Sequence, residues 1–461
     1  MSPRPSRTLA AALAAASTLA LAATPAQAEA DIADRRPAIP GLTIVSESAT
    51  PPAGYRFFIL SYTQPVDHTR PHGQTFQQRF QLLHKDTDRP MVLHTSGYGM
   101  RTTAFRSEPT RLVDGNQISV EQRYFSPSRP DPADWRHLNI WQAATDHHRL
   151  VGALDDLYPH KWISTGASKG GMTSVYHRRF YPNDVDGVVA YVAPNDRVND
   201  ADAAYDRFFA TVGDDPACRD RLDGVQVQAL QQRETLLARY AADAETHGWT
   251  FENVLGDIDR AFEMTVLDSV WAFWQYAGTA DCADVPGPGA TPEALYTWID
   301  TYAGWSFYSD EGVSYYIPYY YQAATQLGWA SLEFAHLRGL TRYPGLYSAN
   351  TALPEELRST HRALPMLDID HWVRTRADRM LFVYGENDPW GAEAFTPSGH
   401  DSLRFTAPGA NHGANIAALT AADRDAATAA LLRWAGVAPT TTALGVTALD
   451  RAEPRDHRVR R

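Results

Sequence analysis

Two segments near the start of the chain alternate apolar and polar residues. The runs YRFFILSY (Tyr55–Tyr62) and TFQQRFQLLH (Thr75–His84) both interleave apolar and polar residues. Because successive side chains of a strand point to opposite faces of a sheet, this alternation predicts half-buried antiparallel strands.

Between about residues 90 and 195, apolar runs alternate with segments of helical spacing. Strands are predicted at PMVLHTSGYG (Pro90–Gly99), QISVEQRYF (Gln117–Phe125), KWISTG and GVVAYVAP (Gly187–Pro194), and helices at NIWQAATDHHRLVGALDDLY (Asn139–Tyr158) and GGMTSVYHRRFYP. Alternation of strand and helix predicts a mostly parallel sheet flanked by helices.

The segment from 196 to 375 is helical in spacing and dense in Trp and Tyr, as in VWAFWQYAG and VSYYIPYYYQAATQLGWA. We interpret it as a mostly helical cap inserted into the sheet-forming part. The earlier alternation resumes with RMLFVYGENDPW (Arg379–Trp390), SLRFTAPGANHG (Ser402–Gly413) and the amphipathic run LTAADRDAATAALLRWAG (Leu419–Gly436).

The first residues have the pattern of an export signal. Arg4 and Arg7 precede the apolar run TLAAALAAASTLALAA, and Ala26-Gln27-Ala28 forms a small-x-small cleavage site. The run is too short for a comfortable membrane span, so we predict a secreted protein without a membrane anchor once the signal is removed. The predicted parts are a signal peptide (1–28), a pro-segment or flexible N-terminus (29–40), a first core part (41–195), the cap (196–375), a second core part (376–437) and a flexible tail (438–461).

Composition and charge narrow the class of protein. The chain has 461 residues, 44% of them hydrophobic, and a formal net charge of −12, which argues against a nucleic-acid binder. Its two cysteines, Cys218 and Cys282, predict one disulfide in an exported protein, with two separate buried thiols as the alternative. Neither cysteine has the spacing of a redox or zinc motif, so no metal or cofactor is expected.

The stretch Gly166-Ala167-Ser168-Lys169-Gly170 fits the pattern G-x-S-x-G. A serine hydroxyl is a poor nucleophile unless a base and a third group activate it, and this short pattern also occurs by chance in glycine-rich turns. Here a predicted strand precedes it and a predicted helix follows it, as in a nucleophile elbow. This context predicts Ser168 as the nucleophile of an α/β-hydrolase fold, with the cap inserted between the strand after the nucleophile helix and the acid-bearing strand.

That fold requires an acid and then a histidine later in the chain. Asp388 and His412 each follow a predicted strand, where a chain leaving the sheet presents its side chains. We predict His412 as the general base and Asp388 as the group that orients it. Asp401, His400 and His371 are the competing candidates.

An acyl-transfer reaction also needs donors for the developing oxyanion. The backbone N–H of Lys169 follows the nucleophile, and the turn HTSGYGM offers the backbone N–H of Tyr98. The alternative is that Gly97 and Gly99 only form a tight turn there.

Five stretches together resemble the secreted bacterial prolyl tri- and tetrapeptidyl aminopeptidases, a family of serine peptidases. They are VEQRYFSPSRP, WISTGASKGGMTSVYHRRFYP, DVDGVVAYVAPND, YGENDPW and NHGANI, within a resemblance that runs from about Tyr55 to Gly436. The resemblance implies that Ser168, Asp388 and His412 form the catalytic triad. It also implies release of tri- or tetrapeptides from free N-termini, often with proline at the cleaved position.

An exopeptidase must bind the α-ammonium group of its peptide substrate, which calls for carboxylates near the cleft. Glu121, Asp196, Asp200 and Asp202 lie at or after strand ends on the correct side, although each is also compatible with a solvated acid or a salt-bridge partner. The aromatic cap residues would suit a proline ring. The alternatives to a peptidase are a secreted esterase or lipase of the same fold and a catalytically silent binding protein.

Overall fold

The structure is a computed structural model that describes residues 39–198, 202–439 and 447–450. The elements given below belong to one compact unit, Gly41–Arg461. The predicted signal peptide, nearly all of the predicted 29–40 segment, Asp200 and most of the predicted tail lie outside the described residues. Among the helices in the described ranges, none combines the length and apolar character needed to cross a lipid bilayer.

The described residues form one nine-stranded sheet with the order β1-β2-β3-β5-β4-β6-β7-β8-β9. The pairs β1–β2, β2–β3 and β3–β5 are antiparallel, and the remaining pairs are parallel. The strands are β1 Leu42–Glu47, β2 Arg56–Pro65, β3 Thr75–His84, β4 Met91–Thr95, β5 Asn116–Val120, β6 Trp162–Ala167, β7 Gly187–Tyr191, β8 Met380–Gly385 and β9 Leu403–Ala407.

Helices flank this sheet and also build a large insertion. The flanking helices are α1 Glu108–Val113, α2 Ile140–Leu154, α3 Lys169–Phe180, α11 Leu364–Thr375 and α12 Ala421–Trp434. The insertion between β7 and β8 contains α4 Ala203–Thr211, α5 Pro216–Gln231, α6 Arg233–His247, α7 Ile258–Tyr276, α8 Pro292–Tyr302, α9 Asp310–Ser314 and α10 Ile317–Gln322. This is the predicted α/β-hydrolase architecture with a mostly helical cap.

The central strands are short apolar runs because helices cover both of their faces. Every residue of β5, β7 and β8 is buried. On one side of the sheet, Val113 of α1 and Leu431 of α12 pack against core residues such as Ile163 and Val189. The carboxyl ends of β6, β7, β8 and β9 therefore meet at one edge, which is where parallel sheets place their sites.

The edge strand β1 was not predicted from the sequence. It pairs with β2 through its backbone, and its burial pattern is almost entirely exposed, with Ile44 and Val45 facing solvent. Because its side chains have no buried face, no alternation of apolar and polar residues marks it.

The cap has an aromatic core and the predicted disulfide. Its buried cluster includes Tyr240, Trp271, Trp274 and Trp305. Cys218 of α5 and Cys282 are disulfide-bonded with a Cα–Cα distance of 5.5 Å, which confirms the predicted pair. Much of the tyrosine and tryptophan content of the insertion is thus core packing.

Candidate active site

Ser168 occupies a sharp turn between β6, which ends at Ala167, and α3, which begins at Lys169. Its backbone angles are φ 56° and ψ −130°, a region that residues with a side chain rarely adopt. The Ser168 N–H donates to the Tyr191 carbonyl of β7 at 2.9 Å and holds the turn against the sheet. The strained conformation and its location are those of a nucleophile elbow.

The glycines around Ser168 are required by close backbone contacts. A Cβ on Gly166 would lie 2.4 Å from the Gly170 carbonyl carbon, and a Cβ on Gly170 would lie 2.3 Å from the Thr95 carbonyl oxygen. The strand, the helix and the loop after β4 therefore approach more closely than a side chain allows. The G-x-S-x-G pattern has this steric basis here.

Asp388 and His412 meet at the carboxyl ends of β8 and β9. Asp388 Oδ2 lies 2.8 Å from His412 Nδ1, and Asp388 Oδ1 accepts the Trp390 backbone N–H at 3.2 Å. Both side chains are buried. A buried carboxylate in this position favours a proton on Nδ1 and so leaves Nε2 as the basic nitrogen of the ring.

The cap holds the loop that carries His412. The His412 N–H donates to the Gln275 carbonyl at 3.2 Å, and Asn411 Nδ2 donates to the Ala277 carbonyl at 2.9 Å. Gln275 and Ala277 lie at the end of α7. The insertion therefore supports the imidazole from the side opposite the sheet.

The competing acid and histidines lie elsewhere. Asp401 accepts hydrogen bonds from Arg433 at 2.5 Å and from Trp434 Nε1 at 2.9 Å, so it anchors the end of α12. His371 and His400 are exposed. None of the three lines the cavity that contains Ser168.

Ser168 and His412 share the wall of a cavity of about 550 Å³ between the sheet and the cap. This volume is in the range of small-molecule and peptide-end sites. Twelve aromatic side chains line the cavity: Tyr98, Phe105, Tyr191, Trp271, Tyr276, Phe307, Tyr315, Tyr316, Tyr319, Tyr320, Trp329 and Trp390. Eight of the twelve come from the cap, as expected for an aromatic cap over a cleft.

The backbone N–H groups of Lys169 and Tyr98 are the two groups predicted to bind an oxyanion, and the backbone segments that carry them are in close contact. Lys169 is the first residue of α3, so its N–H has no acceptor within the helix. The Tyr98 N–H donates to Ser96 Oγ at 3.2 Å. Between them, Gly97 has a φ of 75°, and a Cβ there would lie 2.4 Å from Gly170 N. The oxyanion role of both groups remains a prediction.

The side chain of Lys169 is buried. Its Nζ donates to the Gly97 carbonyl and lies 5.6 Å from the ring centres of Tyr98 and Phe125. Burial holds the pKa of the Lys169 ammonium well below its usual range. This contact ties the loop after β4 to the start of α3.

Of the carboxylates predicted to bind an α-ammonium group, the three that the structure describes do not line the cavity. Glu121 is fully buried and paired: Arg79 Nη2 lies 2.7 Å from Oε1, and Ser128 Oγ donates to Oε2 at 2.7 Å. It therefore has a structural ion pair instead of an exposed oxygen. Asp200 lies outside the described residues.

Asp196 and Asp202 lie together behind the wall, in a buried group with Glu393. Burial, followed by the charges of Asp202 and Glu393, raises the pKa of Asp196 well above its usual range. Burial and the same three carboxylates raise the pKa of the neighbouring Tyr205.

Sequence reasoning missed three carboxylates of the cavity wall: Glu108, Asp268 and Asp450. Asp450 forms an ion pair with Arg106, and Glu108 accepts backbone N–H groups of residues 416 and 417. Asp268 lies on α7 with Trp271 and Gln275 at spacings of three and seven residues, so the three share one face, and all line the cavity. Tyr347 donates a hydrogen bond to Asp268 Oδ1 at 3.0 Å. The available signal was an acid inside the otherwise apolar run MTVLDSVWAFW.

Comparison with known proteins agrees with this geometry. The family model described as PS-10 peptidase S37 matches residues 25–455. The prolyl tri/tetrapeptidyl aminopeptidase of Streptomyces mobaraensis is 52% identical over 433 residues, which cover 93% of this chain and 90% of that protein.

Solved structures show a more distant similarity. A proline iminopeptidase of Mycobacterium smegmatis is 15% identical, with a TM-score of 0.41, over 81% of this chain and 98% of that one. A peroxisomal alpha-beta-hydrolase of Saccharomyces cerevisiae is 10% identical, with a TM-score of 0.35, over 86% and 94% of the two chains.

Proposed function

This chain belongs to the PS-10 peptidase S37 family, and from that premise we propose that it releases tri- or tetrapeptides from free amino termini through a Ser168–His412–Asp388 triad. The chain is a serine-type peptidase of α/β-hydrolase fold. The observation that supports the triad most directly is the 2.8 Å contact of His412 Nδ1 with Asp388 Oδ2, on a histidine that shares a cavity wall with Ser168.

In the proposed reaction His412 Nε2 takes the proton of Ser168 Oγ as that oxygen attacks the scissile carbonyl carbon. The backbone N–H groups of Lys169 and Tyr98 donate to the resulting oxyanion. Collapse of the intermediate breaks the C–N bond, and His412 passes its proton to the leaving amine. Water then hydrolyses the acyl-enzyme by the same route, and Asp388 stabilises the imidazolium in both halves.

The cavity and the relative both support the proposed preference for a free amino terminus. The similar Streptomyces mobaraensis protein is named a prolyl tri/tetrapeptidyl aminopeptidase. In this chain Asp268 places a carboxylate on the cavity wall among aromatic residues of the cap. The other two carboxylates of this wall are engaged elsewhere, since Glu108 accepts the backbone N–H groups of Ile416 and Ala417 and Asp450 pairs with Arg106. A charge-assisted contact with an α-ammonium group therefore suits Asp268. The aromatic rings suit a proline side chain.

We also propose that the mature protein acts outside the cell on peptides with free amino termini. The Cys218–Cys282 disulfide is typical of an oxidising compartment. The N-terminal pattern of residues 1–28 fits export, and mass spectrometry of the N-terminus of secreted protein tests cleavage after Ala28.

The test of the proposed function compares one tripeptide p-nitroanilide with a free amino group and the same compound acetylated. We expect kcat/KM to be roughly 10- to 100-fold higher for the free amine, because a hydrogen bond to a charged group contributes about 1.5–3 kcal/mol. Equal cleavage of both compounds would contradict exopeptidase action. A preference for simple esters would favour the esterase, and absence of labelling by an organofluorophosphonate would favour a silent binding protein.

Replacing Asp268 by asparagine should remove this discrimination. The Asp268→Asn variant keeps the size of the side chain and loses its charge, so KM for the free amine should rise roughly 10-fold or more while the acetylated compound is unaffected. The ratio of kcat/KM for the two compounds is the measurement. Asp425→Asn, at an exposed position of α12, is the matched control and should keep the wild-type ratio. An equal loss on both compounds would show that Asp268 only supports the fold.

A further inference from the structure

Three carboxylates from separate segments converge outside the active-site cavity. Asp196 follows β7, Asp202 precedes α4, and Glu393 ends the short helix that begins after Asp388. One oxygen of each lies within 4.8 Å of the others. Asp196 is 1% and Asp202 5% exposed, while the Glu393 side chain retains 11% exposure. The cluster is thus buried, with Glu393 at its solvent side.

Two buried side chains at this cluster, Asp196 and Tyr205, are poorly satisfied. Neither carboxylate oxygen of Asp196 has a hydrogen-bond partner among the described residues, and the same holds for the buried hydroxyl of Tyr205. Tyr205 lies three residues after Asp202 in the first turn of α4, beside the cluster. Unpaired groups of this kind cost several kcal/mol when buried, so a ligand that binds them is favoured.

Among the described residues, two arginines, Arg197 and Arg207, act on the cluster at Glu393. Arg197 Nη2 lies 3.7 Å from Glu393 Oε1, but Arg197 Nη1 also lies 3.5 Å from Asp370. The Asp202 carboxylate accepts the backbone N–H of Ser331, which is neutral. Ionised together, the three carboxylates would carry three negative charges against Arg197, which Asp370 shares, and Arg207. A divalent cation that displaces their protons would offset the remaining negative charge.

We propose that Asp196, Asp202 and Glu393 bind a calcium ion. Calcium takes six to eight oxygen ligands and tolerates irregular geometry, and three carboxylates offer up to six oxygens. The cluster contains no histidine or cysteine, the ligands that zinc and copper prefer. The exposed edge of Glu393 supplies an entry path for the ion and for water that completes its shell.

The surroundings favour an ion over a substrate amino group. Gly328, with a φ of 88°, packs against Asp196, and a Cβ there would lie 2.6 Å from the Asp196 carbonyl oxygen. The next residue, Trp329, lines the cavity, whereas the three carboxylates do not. A calcium ion here would join the loop after β7, the start of the cap and the turn that carries Asp388.

The experiment measures calcium in the purified wild-type protein, independently of activity. Protein is treated with EDTA, exchanged into metal-free buffer, incubated with CaCl₂, desalted and analysed by mass spectrometry for metal content. We expect one calcium per chain, a melting temperature that EDTA lowers and calcium restores, and aromatic-sensitised Tb³⁺ luminescence that calcium competes away. Asp196→Asn and Glu393→Gln should weaken Tb³⁺ binding by about tenfold or more. The exposed-site controls Asp425→Asn and Glu245→Gln should not.

Several results would overturn the proposal. Absence of bound calcium, with equal melting temperatures in EDTA and in CaCl₂, would show that the carboxylates share protons instead. The carboxylates would also be shown to share protons if Asp196→Asn melted at a higher temperature than the wild type in metal-free buffer and the wild type bound no calcium. Displacement of Tb³⁺ by a tripeptide with a free amino group, but not by its acetylated form, would assign the cluster to the substrate. If Asp196→Asn does not fold, the wild-type titration and Glu393→Gln decide.

Discussion

Replacement of Ser168 by alanine is expected to lower kcat for peptide p-nitroanilides by roughly 10⁶-fold while the protein stays folded. The substitution removes the attacking oxygen, so no acyl-enzyme can form, and only substrate binding and the oxyanion donors remain. Ser168 N–H still donates to Tyr191, and the turn keeps its flanking glycines. The melting temperature should therefore change little.

The control for this variant is Ser46→Ala, at an exposed position of the edge strand β1. It should retain the wild-type rate. In the wild type an organofluorophosphonate probe should label one residue, Ser168, and in Ser168→Ala it should label none. A variant that kept a wild-type rate, or a label on another serine, would refute Ser168 as the nucleophile.

Asp388→Asn should lower kcat by about 10⁴-fold without unfolding the protein. The asparagine keeps the shape of the side chain and can still accept the Trp390 backbone N–H. It cannot stabilise an imidazolium, and an amide NH₂ facing His412 Nδ1 would favour the tautomer with the proton on the wrong nitrogen. The rate constant should fall much more than the melting temperature.

Asp401→Asn is the matched control, because Asp401 was the competing acid and lies near the end of α12. Its contacts with Arg433 and Trp434 are structural, so this variant should keep nearly the full rate and lose some stability. Asparagine also tolerates the positive φ of 49° at this position. A large loss of rate in Asp401→Asn with little loss in Asp388→Asn would reverse the assignment of the acid.

The local features of the site could be predicted from the sequence. The G-x-S-x-G stretch depends on contacts between neighbouring segments that exclude a Cβ, and strand and helix periods are local properties of the chain. The order of Ser168, Asp388 and His412 follows from the order of the strands that carry them. The disulfide followed from the presence of only two cysteines.

The surroundings of individual acids were decided by tertiary structure. Glu121 was a candidate for substrate binding, but Arg79, distant in sequence, pairs with it inside the fold. Asp268 was not among the candidates from the sequence. It lies on α7 and lines the cavity, where the Tyr347 hydroxyl donates a hydrogen bond to it. The burial of the Lys169 side chain likewise depends on Gly97, Tyr98 and Phe125.

The sequence by itself determined the architecture, the candidate nucleophile and the order of its candidate partners, because those depend on periodicity and on steric limits within short segments. Only the tertiary structure decided which acids face the cavity and which are buried or paired. Burial and ion pairing depend on residues that are far apart along the chain and come together only in the folded protein, so no local sequence pattern predicts them.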